Sequence, residues 1–163
     1  MNQLDHHSHA LALGILARAS DLTLATLCHD GSPHASTVNF ASDDLILYVA
    51  IALDSHKAHN VREHGSVALT VNAPYCNWHE IQGMAIDARA AMVTDPAELK
   101  LASSLLLRKL PAYGKLIQEP GTLPWPGMLF LRIEPLALRL LDYTRGFGHT
   151  ESFELREDLP ACV

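Results

Sequence analysis

Residues 54–60 bring a hydroxyl, an imidazole and an ammonium group together at a point where a helix is predicted to begin. Asp54 and Ser55 are both residue types that cap helix N-termini, and they follow a strongly apolar run. The free backbone N–H groups of a first helical turn bind anions, and Ser55 and Lys57 would add a hydroxyl and a positive charge. His56 adds a further donor when it is protonated. The segment therefore predicts a phosphate site; the common alternative is a plain serine cap followed by a solvated lysine.

Two further segments combine aromatic, polar and glycine residues. Residues 77–83 (NWHEIQG) carry side chains that could line a planar ligand, and the alternative is a barrel rim with one buried indole. Residues 142–149 (DYTRGFGH) place glycines on both sides of Phe147, which would let the backbone approach a ring closely. Arg145 and His149 could meet an anion or a substrate carbonyl there and are the candidate catalytic residues. The alternative for this second segment is a bulge or hairpin with an exposed arginine.

Several familiar motifs are missing from the sequence, and their absence argues against several classes of binding site and enzyme. The three cysteines, Cys28, Cys76 and Cys162, are widely spaced, and no His-Glu-x-x-His pair exists, so we predict no metal site. The Gly-rich patterns of the common nucleotide-binding folds are absent as well. A Gly-x-Ser-x-Gly nucleophile turn is also missing, which argues against a hydrolase of that type.

Composition describes one globular domain with an acidic surface. The chain has 163 residues, 48% hydrophobic and 18% charged, with a formal net charge of −6. This balance argues against disorder and against a broad nucleic-acid or anionic-membrane surface. No apolar run approaches the roughly 20 residues of a membrane span. We therefore expect a single cytoplasmic domain over residues 1–163, with residues 1–8 as a flexible tail and neither nucleic acid nor membrane as a partner.

The elements that would position these residues are mostly strands. Turn chemistry and apolar runs predict helices over residues 11–19, 57–64 and 96–109, and strands over 22–28, 34–41, 45–53, 67–71, 79–93, 128–133, 136–142 and 152–156. Residues 134–135 (Glu-Pro) separate two of the strands, and Gly83 predicts a bulge or a close backbone approach. Strands that cluster instead of alternating with helices favour a closed or nearly closed antiparallel barrel with peripheral helices.

The order of the motifs resembles that of a known family. They are Asp30-Gly31-Ser32-Pro33-His34, Tyr48-Val49, Ser55-His56-Lys57-Ala58-His59-Asn60, the stretch from Trp78 to Gly83, Asp95-Pro96-Ala97-Glu98 and Arg145-Gly146-Phe147-Gly148. Together they are similar to the pyridoxamine 5′-phosphate oxidase-like superfamily of FMN-binding split barrels, over roughly residues 8–155. The Ser-x-Lys-Ala-His segment is the most specific of them. The resemblance implies a six-stranded antiparallel split barrel flanked by helices, in a homodimer with FMN in clefts between the subunits.

The resemblance also implies a set of cofactor-binding residues, matched position by position: Ser36, Thr37, Val38, Asn39, Tyr48, Val49, Ser55, His56, Lys57 and Gln82. Residues 55–57 would hold the FMN phosphate, and residues 36–39 would lie along the isoalloxazine edge with their backbone groups. Tyr48 and Val49 would lie beneath the cofactor, while Gln82 would contact its ring or ribityl chain. Arg145 and its neighbouring glycines would close the pocket from the other subunit.

Departures from the family pattern shape the expected activity. His56 stands where the true oxidase has an arginine, and residues 158–163 lack its Arg-Leu-x-Pro ending. The basic residues that would grip a pyridoxamine phosphate are mostly missing. We therefore expect an FMN-dependent oxidoreductase that transfers hydride or electrons to or from a small organic substrate, and not vitamin B6 oxidation.

Three alternatives remain open from the sequence. A haem-handling relative would use His149 as its axial ligand. The deazaflavin F420 would present a phosphate to the same segment as FMN. A flavin carrier or sensor would bind FMN without turnover.

Overall fold

The fold is taken from a computed structural model that describes residues 2–119 and 121–155. Its helices are α1 (His6–Arg18), α2 (His56–Glu63) and α3 (Pro96–Lys109). Its strands are β1 (Asn2–Gln3), β2 (Asp21–Leu27), β3 (Pro33–Asn39), β4 (Ala41–Asp43), β5 (Ile46–Ala52), β6 (Ser66–Asn72), β7 (Gln82–Met92), β8 (Met128–Asp142) and β9 (Thr150–Glu154). Short 3-10 turns cover Trp78–Glu80, Pro111–Lys115 and Tyr143–Arg145. No helix among these residues is long and apolar enough to cross a membrane.

The strands form one mainly antiparallel sheet with the order β1-β9-β8-β7-β6-β2-β3. β5 joins this sheet by pairing with the first part of β8, and β4 pairs with β5. The path β3-β2-β6-β7-β8-β5 therefore curves around the core and leaves a gap between β3 and β5. This is the predicted split barrel. The strand number differs from the expected six because β1, β4 and β9 add short flanking strands, and β1 pairs parallel to β9.

Two apolar clusters lie on opposite faces of the sheet. The larger one fills the barrel, where every second residue points inward, as in the alternating burial of β6. Helix α1 adds Ala12, Ile15 and Leu16 to this cluster. The second cluster lies outside the barrel, where α3 packs Leu106 and its neighbours against Phe130 and Trp125. The loop after α3 is thereby fixed against the outer face of β8.

Some element boundaries differ from the expected ones. Residues 2–8, expected as a tail, carry β1 and the first turn of α1, because the Asp5 side chain caps that helix by accepting from the Ser8 N–H at 2.9 Å. Residues 128–142 form one strand although Pro135 lies within it. The pairing with β7 shifts register between Asp87 and Ala88, opposite this proline, so a bulge accommodates the missing N–H. Gly83 instead makes a close approach, because a Cβ there would lie 2.2 Å from Asn72 Oδ1.

Lys109 joins the end of α3 to the end of α1. Its Nζ donates a hydrogen bond to the Leu16 carbonyl at 2.8 Å and lies 3.6 Å from the centre of the Phe40 ring. The carbonyl belongs to the last turn of α1, where cations are favourable. Burial nevertheless disfavours the charged ammonium and lowers the pKa of Lys109 from 10.5 to about 8.

This shift makes the stability of the protein depend on pH in the alkaline range. Between about pH 8 and 10 the unfolded lysine keeps its proton while the folded one loses it, so the free energy of unfolding should rise with pH. Urea unfolding of the wild type and of Lys109→Met across this range measures the effect. The rise should be smaller in the variant, and equal slopes in the two proteins would show that Lys109 is not the group responsible.

Candidate functional site

An open cleft of about 310 Å³ lies where the barrel is split, between β3 and β5. β3 ends the sheet order, and β4 pairs only with Ile46–Tyr48 of β5, so within the described residues both cleft walls present strand edges without a neighbouring strand. Backbone N–H and C=O groups on such edges are available to a bound molecule. The cleft is lined by Asp21, Thr37, Val38, Asn39, Ala50, Ile51, Ala52, Ser55, Lys57 and Tyr113.

The N-terminus of α2 opens into this cleft. Ser55 caps the helix, since its Oγ accepts a hydrogen bond from the Ala58 N–H at 3.3 Å. The N–H groups of His56 and Lys57, in the first turn, have no acceptor within the helix. The Ser55 hydroxyl keeps its own proton to donate. Lys57 is half-buried and, within the described chain, its ammonium makes no hydrogen bond or ion pair. These donors can hold an anion.

A buried polar chain fixes α2 against the sheet. Asn60 Nδ2 donates to Thr26 Oγ1 at 2.9 Å, and Thr26 Oγ1 donates to the His34 carbonyl at 3.4 Å. Thr26 and Asn60 are both buried. The rings of His34 and His56 lie 5.7 Å apart at the start of the helix. Neither Thr26 nor Asn60 was a predicted site residue; the available signal was a polar residue between Ala58 and Val61 on the buried face of α2.

Ser36 provides a test of whether β3 suits a bound molecule. Its side chain lies on the same face of β3 as Val38, and its Oγ is buried without a hydrogen-bond partner in the described part of the chain. A buried hydroxyl without a partner costs free energy, so native proteins usually pair it. The donors of α2 and the two strand edges fit a phosphate-bearing planar cofactor of the kind that the family resemblance implies, and the unpaired Ser36 hydroxyl lies next in the chain to the cleft-lining Thr37.

Comparison with known protein families identifies the family to which this chain belongs. The family model for pyridoxamine 5′-phosphate oxidase matches residues 12–139, which is most of the chain. The chain belongs to the pyridoxamine 5′-phosphate oxidase family. The matched stretch runs from α1 into β8 and so includes both walls of the cleft and the N-terminus of α2.

Solved structures share the fold at low identity. The structure is similar to a heme binding protein from Mycobacterium smegmatis, with a TM-score of 0.76, 18% identity, and coverage of 90% of this chain and 57% of that one. Campylobacter jejuni ChuZ is similar with a TM-score of 0.74 and 14% identity, and the match covers 94% of this chain and 62% of that one. General Stress Protein 26 from Bacillus anthracis str. Sterne is similar with a TM-score of 0.66 and 18% identity, and the match covers 91% of this chain and 99% of that one.

A match among curated proteins is partial. The chain is 29% identical over 123 residues to L-fuculose phosphate aldolase of Escherichia coli (strain K12). The aligned stretch covers 71% of this chain and 57% of that protein. The chain thus spans little more than half the length of the curated relatives it matches.

Within residues 2–119 and 121–155, no group of three His, Cys, Asp or Glu side chains is arranged to hold a metal ion. Cys28 and Cys76 are free thiols, and Cys162 lies outside the described residues.

The structure brings part of the family-derived residue set together. Those that line the cleft are Thr37, Val38, Asn39, Ser55 and Lys57. Ser36 and His56 lie beside them, the first on β3 and the second exposed at the start of α2. The Asn39 side chain is engaged within the protein, since Nδ2 donates to the Ser20 carbonyl at 3.1 Å and Oδ1 accepts from the Tyr113 hydroxyl at 3.2 Å. Tyr113 is a cleft residue that sequence analysis missed.

Tyr48 and Val49, expected beneath the cofactor, are not among the residues that line the cleft in one protomer. Val49 is buried in the barrel core, and Tyr48 is buried on the outer face against α3. The Tyr48 hydroxyl donates to Glu98 Oε1 at 2.9 Å, and Arg132 Nε lies 3.2 Å from the same oxygen. Burial and the Glu98 carboxylate raise the pKa of Tyr48 to about 12.

Glu98→Gln tests the link between α3 and the barrel. The amide removes the negative charge beside Tyr48 and the ion pair with Arg132, so the pKa of Tyr48 should fall towards 10. The free energy of unfolding should fall by about 1–2 kcal/mol, because the Tyr48 hydroxyl then donates to a neutral acceptor and the ion pair with Arg132 is lost. Tyrosine-ring NMR titration and urea unfolding measure the two effects, with the exposed Glu154→Gln as a control. An unchanged Tyr48 pKa would contradict the assignment.

Within a single protomer, Gln82 lies on β7, away from the cleft between β3 and β5. Its Oε1 accepts from Arg18 at 2.7 Å, and its Nε2 donates to Asp142 Oδ1 at 3.1 Å. β7 is three strands away from β3 in the sheet order, which is about 14 Å along the sheet. Burial raises the pKa of Asp142, but hydrogen bonds from Thr144 and Gln82 outweigh this and hold it below its ordinary value. Gln82 therefore fixes the β7–β8 end in this chain.

Arg145 and His149 share one carboxylate outside the cleft. Arg145 pairs with Glu151, and His149 Nε2 lies 2.8 Å from Glu151 Oε1. The hydrogen bond from His149, together with the charge of Arg145, holds the pKa of Glu151 below its ordinary value. Between them, Phe147 is 81% exposed and lies 5.7 Å from the ring of Trp78, which is itself 57% exposed. The indole of residues 77–83 is thus exposed.

Proposed function

We propose that this chain binds FMN in the cleft between β3 and β5 and acts as an oxidoreductase on a small organic substrate. The observation that carries the proposal is the convergence of the α2 N-terminus, Ser55 and Lys57 with β3 in one cleft. A phosphate there would accept hydrogen bonds from the first-turn N–H groups and from the Ser55 hydroxyl. Lys57, whose side chain lines the cleft, would supply the positive charge.

The cleft walls suit the rest of the cofactor. The β3 and β5 edges can offer backbone N–H and C=O groups to the polar edge of an isoalloxazine ring, while Val38, Ala50 and Ile51 offer apolar surface. When bound, FMN supplies the hydride or electron transfer itself, and the protein orients it and excludes water. Asp21 could accept hydrogen bonds from ribityl hydroxyls, because its side chain also lines the cleft.

The substrate we propose carries no phosphate of its own. Lys57 is the single basic side chain among the cleft-lining residues of the described chain, and it is assigned to the cofactor. Within one protomer a second phosphate, such as that of a pyridoxamine phosphate, would have no countercharge in the cleft. The activity would therefore be oxidation or reduction of a different small molecule, in agreement with the departures noted in the sequence.

We also propose a homodimer with the cofactor at the subunit interface. In one protomer Gln82 and Arg145 do not line the cleft, and Trp78 and Phe147 expose aromatic surface beside them. A second copy would cover this surface and could bring the partner's residues to the cleft, as a two-fold interface does. Light scattering at micromolar concentration tests this: a dimer is expected, and a monomer that retains FMN would remove the interface part of the proposal.

An absorption spectrum of the purified protein tests the cofactor assignment. Addition of FMN followed by removal of the excess should leave about one flavin per chain, with the bands of bound flavin. A colourless protein that retains no FMN would overturn the proposal. Mass spectrometry of the extracted cofactor separates FMN from F420, and a substrate screen separates an oxidoreductase from a flavin carrier without turnover.

Haem binding is the second candidate, and the fold likeness to the Mycobacterium smegmatis heme binding protein favours it. His149 would be the axial ligand, although its Nε2 is engaged with Glu151 in this chain. Haem addition should then produce a Soret band that His149→Ala abolishes and that His79→Ala, a change at a neighbouring exposed histidine, leaves intact. No band in the wild type would remove this candidate.

A further inference from the structure

A second cavity of about 270 Å³ lies next to the cleft and shares Tyr113 with it. It is formed between the 3-10 turn Pro111–Lys115 with the residues that follow it and the start of β8. The family-derived residues do not line it. Because Tyr113 contributes to both cavities, a molecule in this second cavity would lie directly beside the occupant of the cleft.

Tyr113 is held in place as the wall between the two cavities. Its hydroxyl donates to Asn39 Oδ1 at 3.2 Å on the cleft side. On the other side its ring meets the Trp125 ring edge-to-face, with centroids 5.8 Å apart. Burial raises the pKa of Tyr113, so the hydroxyl stays protonated and available as a donor. A ring of this kind separates two ligands while contacting both.

The lining of the second cavity is uncharged and mainly apolar. Trp125 is only 4% exposed, and its Nε1 donates to Ser103 Oγ at 3.2 Å, so the indole is a fixed floor that offers its ring to the cavity. Met128 adds a polarizable side wall, and Leu116, 72% exposed, adds an apolar rim. Gln118 is the one amide among the lining side chains that the structure describes. No lysine, arginine, aspartate or glutamate side chain lines it there.

We infer that this cavity binds a neutral, single-ring aromatic molecule bearing a polar substituent. A cavity of about 150 Å³ already holds benzene, so the space here suits one ring with substituents. An anion is disfavoured, because it would lose hydration without meeting a positive charge. The aromatic floor supplies edge-to-face or stacked contacts, and Gln118 or Tyr113 can bond the polar substituent. Its role as the substrate side of the flavin cleft rests on the proposed function.

Isothermal titration calorimetry with 4-nitroanisole and its anionic counterpart 4-nitrobenzoate tests the site on the full chain. The neutral compound should bind at least about tenfold more tightly than the anion. Leu116→Arg should weaken binding of the neutral compound about tenfold, a change of about 1.4 kcal/mol, because it places a charge at the rim. Leu101→Arg, on the partly exposed face of α3, is the matched control and should leave binding unchanged. Circular dichroism checks that both variants fold.

The outcomes separate this inference from the proposed function. If 4-nitroanisole does not bind, or binds Leu116→Arg and wild type equally, the inference is wrong even where FMN is retained. If it binds as expected and perturbs the visible band of bound FMN, the cavity is the substrate side. If it binds as expected but the protein retains no FMN, the aromatic site stands, while its substrate role fails together with the proposed function.

Discussion

Replacing Lys57 with alanine should weaken FMN binding by about ten- to a hundredfold. Lys57 is the single basic side chain lining the cleft within the described residues, and it makes no ion pair of its own there. A hydrogen bond to a charged group is worth about 1.5–3 kcal/mol, and each 1.4 kcal/mol is a factor of ten in Kd. Fluorescence quenching of free FMN on titration with protein measures the constant.

The control for this prediction is Lys100→Ala. Lys100 is an exposed lysine on α3 and does not line the cleft, so its loss should leave the FMN affinity unchanged. Raised salt should also weaken FMN binding to the wild type more than to Lys57→Ala, because screening acts on the charge that the variant lacks. FMN bound with unchanged affinity by Lys57→Ala would show that the phosphate is held elsewhere, and the site assignment would be wrong.

Phe130→Ala should lower the free energy of unfolding by about 3–5 kcal/mol. Phe130 is fully buried in the outer cluster, where its ring lies 4.9 Å from that of Trp125 and meets α3. Removing the ring leaves a cavity between β8 and α3, because the strand and helix cannot close together around it. Urea unfolding followed by circular dichroism gives the value.

Phe147→Ala is the matched control for this substitution. The same atoms are removed from a side chain that is 81% exposed, so the stability of the monomer should change by no more than about 0.5 kcal/mol. If the two alanine variants lost equal stability, the outer cluster would not be the packed core that the structure describes. If Phe147→Ala alone lowered the dimer fraction, the exposed ring would belong to the proposed subunit interface.

Local signals predicted the barrel class and the start of α2. Turn residues and apolar runs are read from short stretches of chain, and the two candidate cap residues, Asp54 and Ser55, predicted a helix start at the place where Ser55 caps α2. The continuity of β8 could not be predicted in this way. Pro135 reads as a strand break, and its acceptance depends on a bulge in pairing with β7, some 50 residues earlier in the chain.

The candidate site was predictable from sequence only where its residues lie together in one short segment, as they do at the start of α2. β5 is buried on both faces, so its apolar run carries no alternation to show that Tyr48 points to α3 and Val49 into the barrel. Tyr113 reaches the cleft from a loop after α3, and nothing near it in the sequence reveals its contact with Asn39. Glu151 engages Arg145 and His149, and that contact also depends on how β9 pairs with β8.

The pairing of β5 with β8 has a consequence for the order of events during synthesis. β5 ends at Ala52, but the strand that holds it, Met128–Ile133 of β8, is made long afterwards. Until then β5 is held only by its short pairing with β4 among the described strands, although β2, β3 and α2 are already present. Contacts between residues so distant in the chain form slowly, since a long loop must first be closed. A nascent chain can therefore complete both walls of the cleft only after residue 133 has emerged from the ribosome.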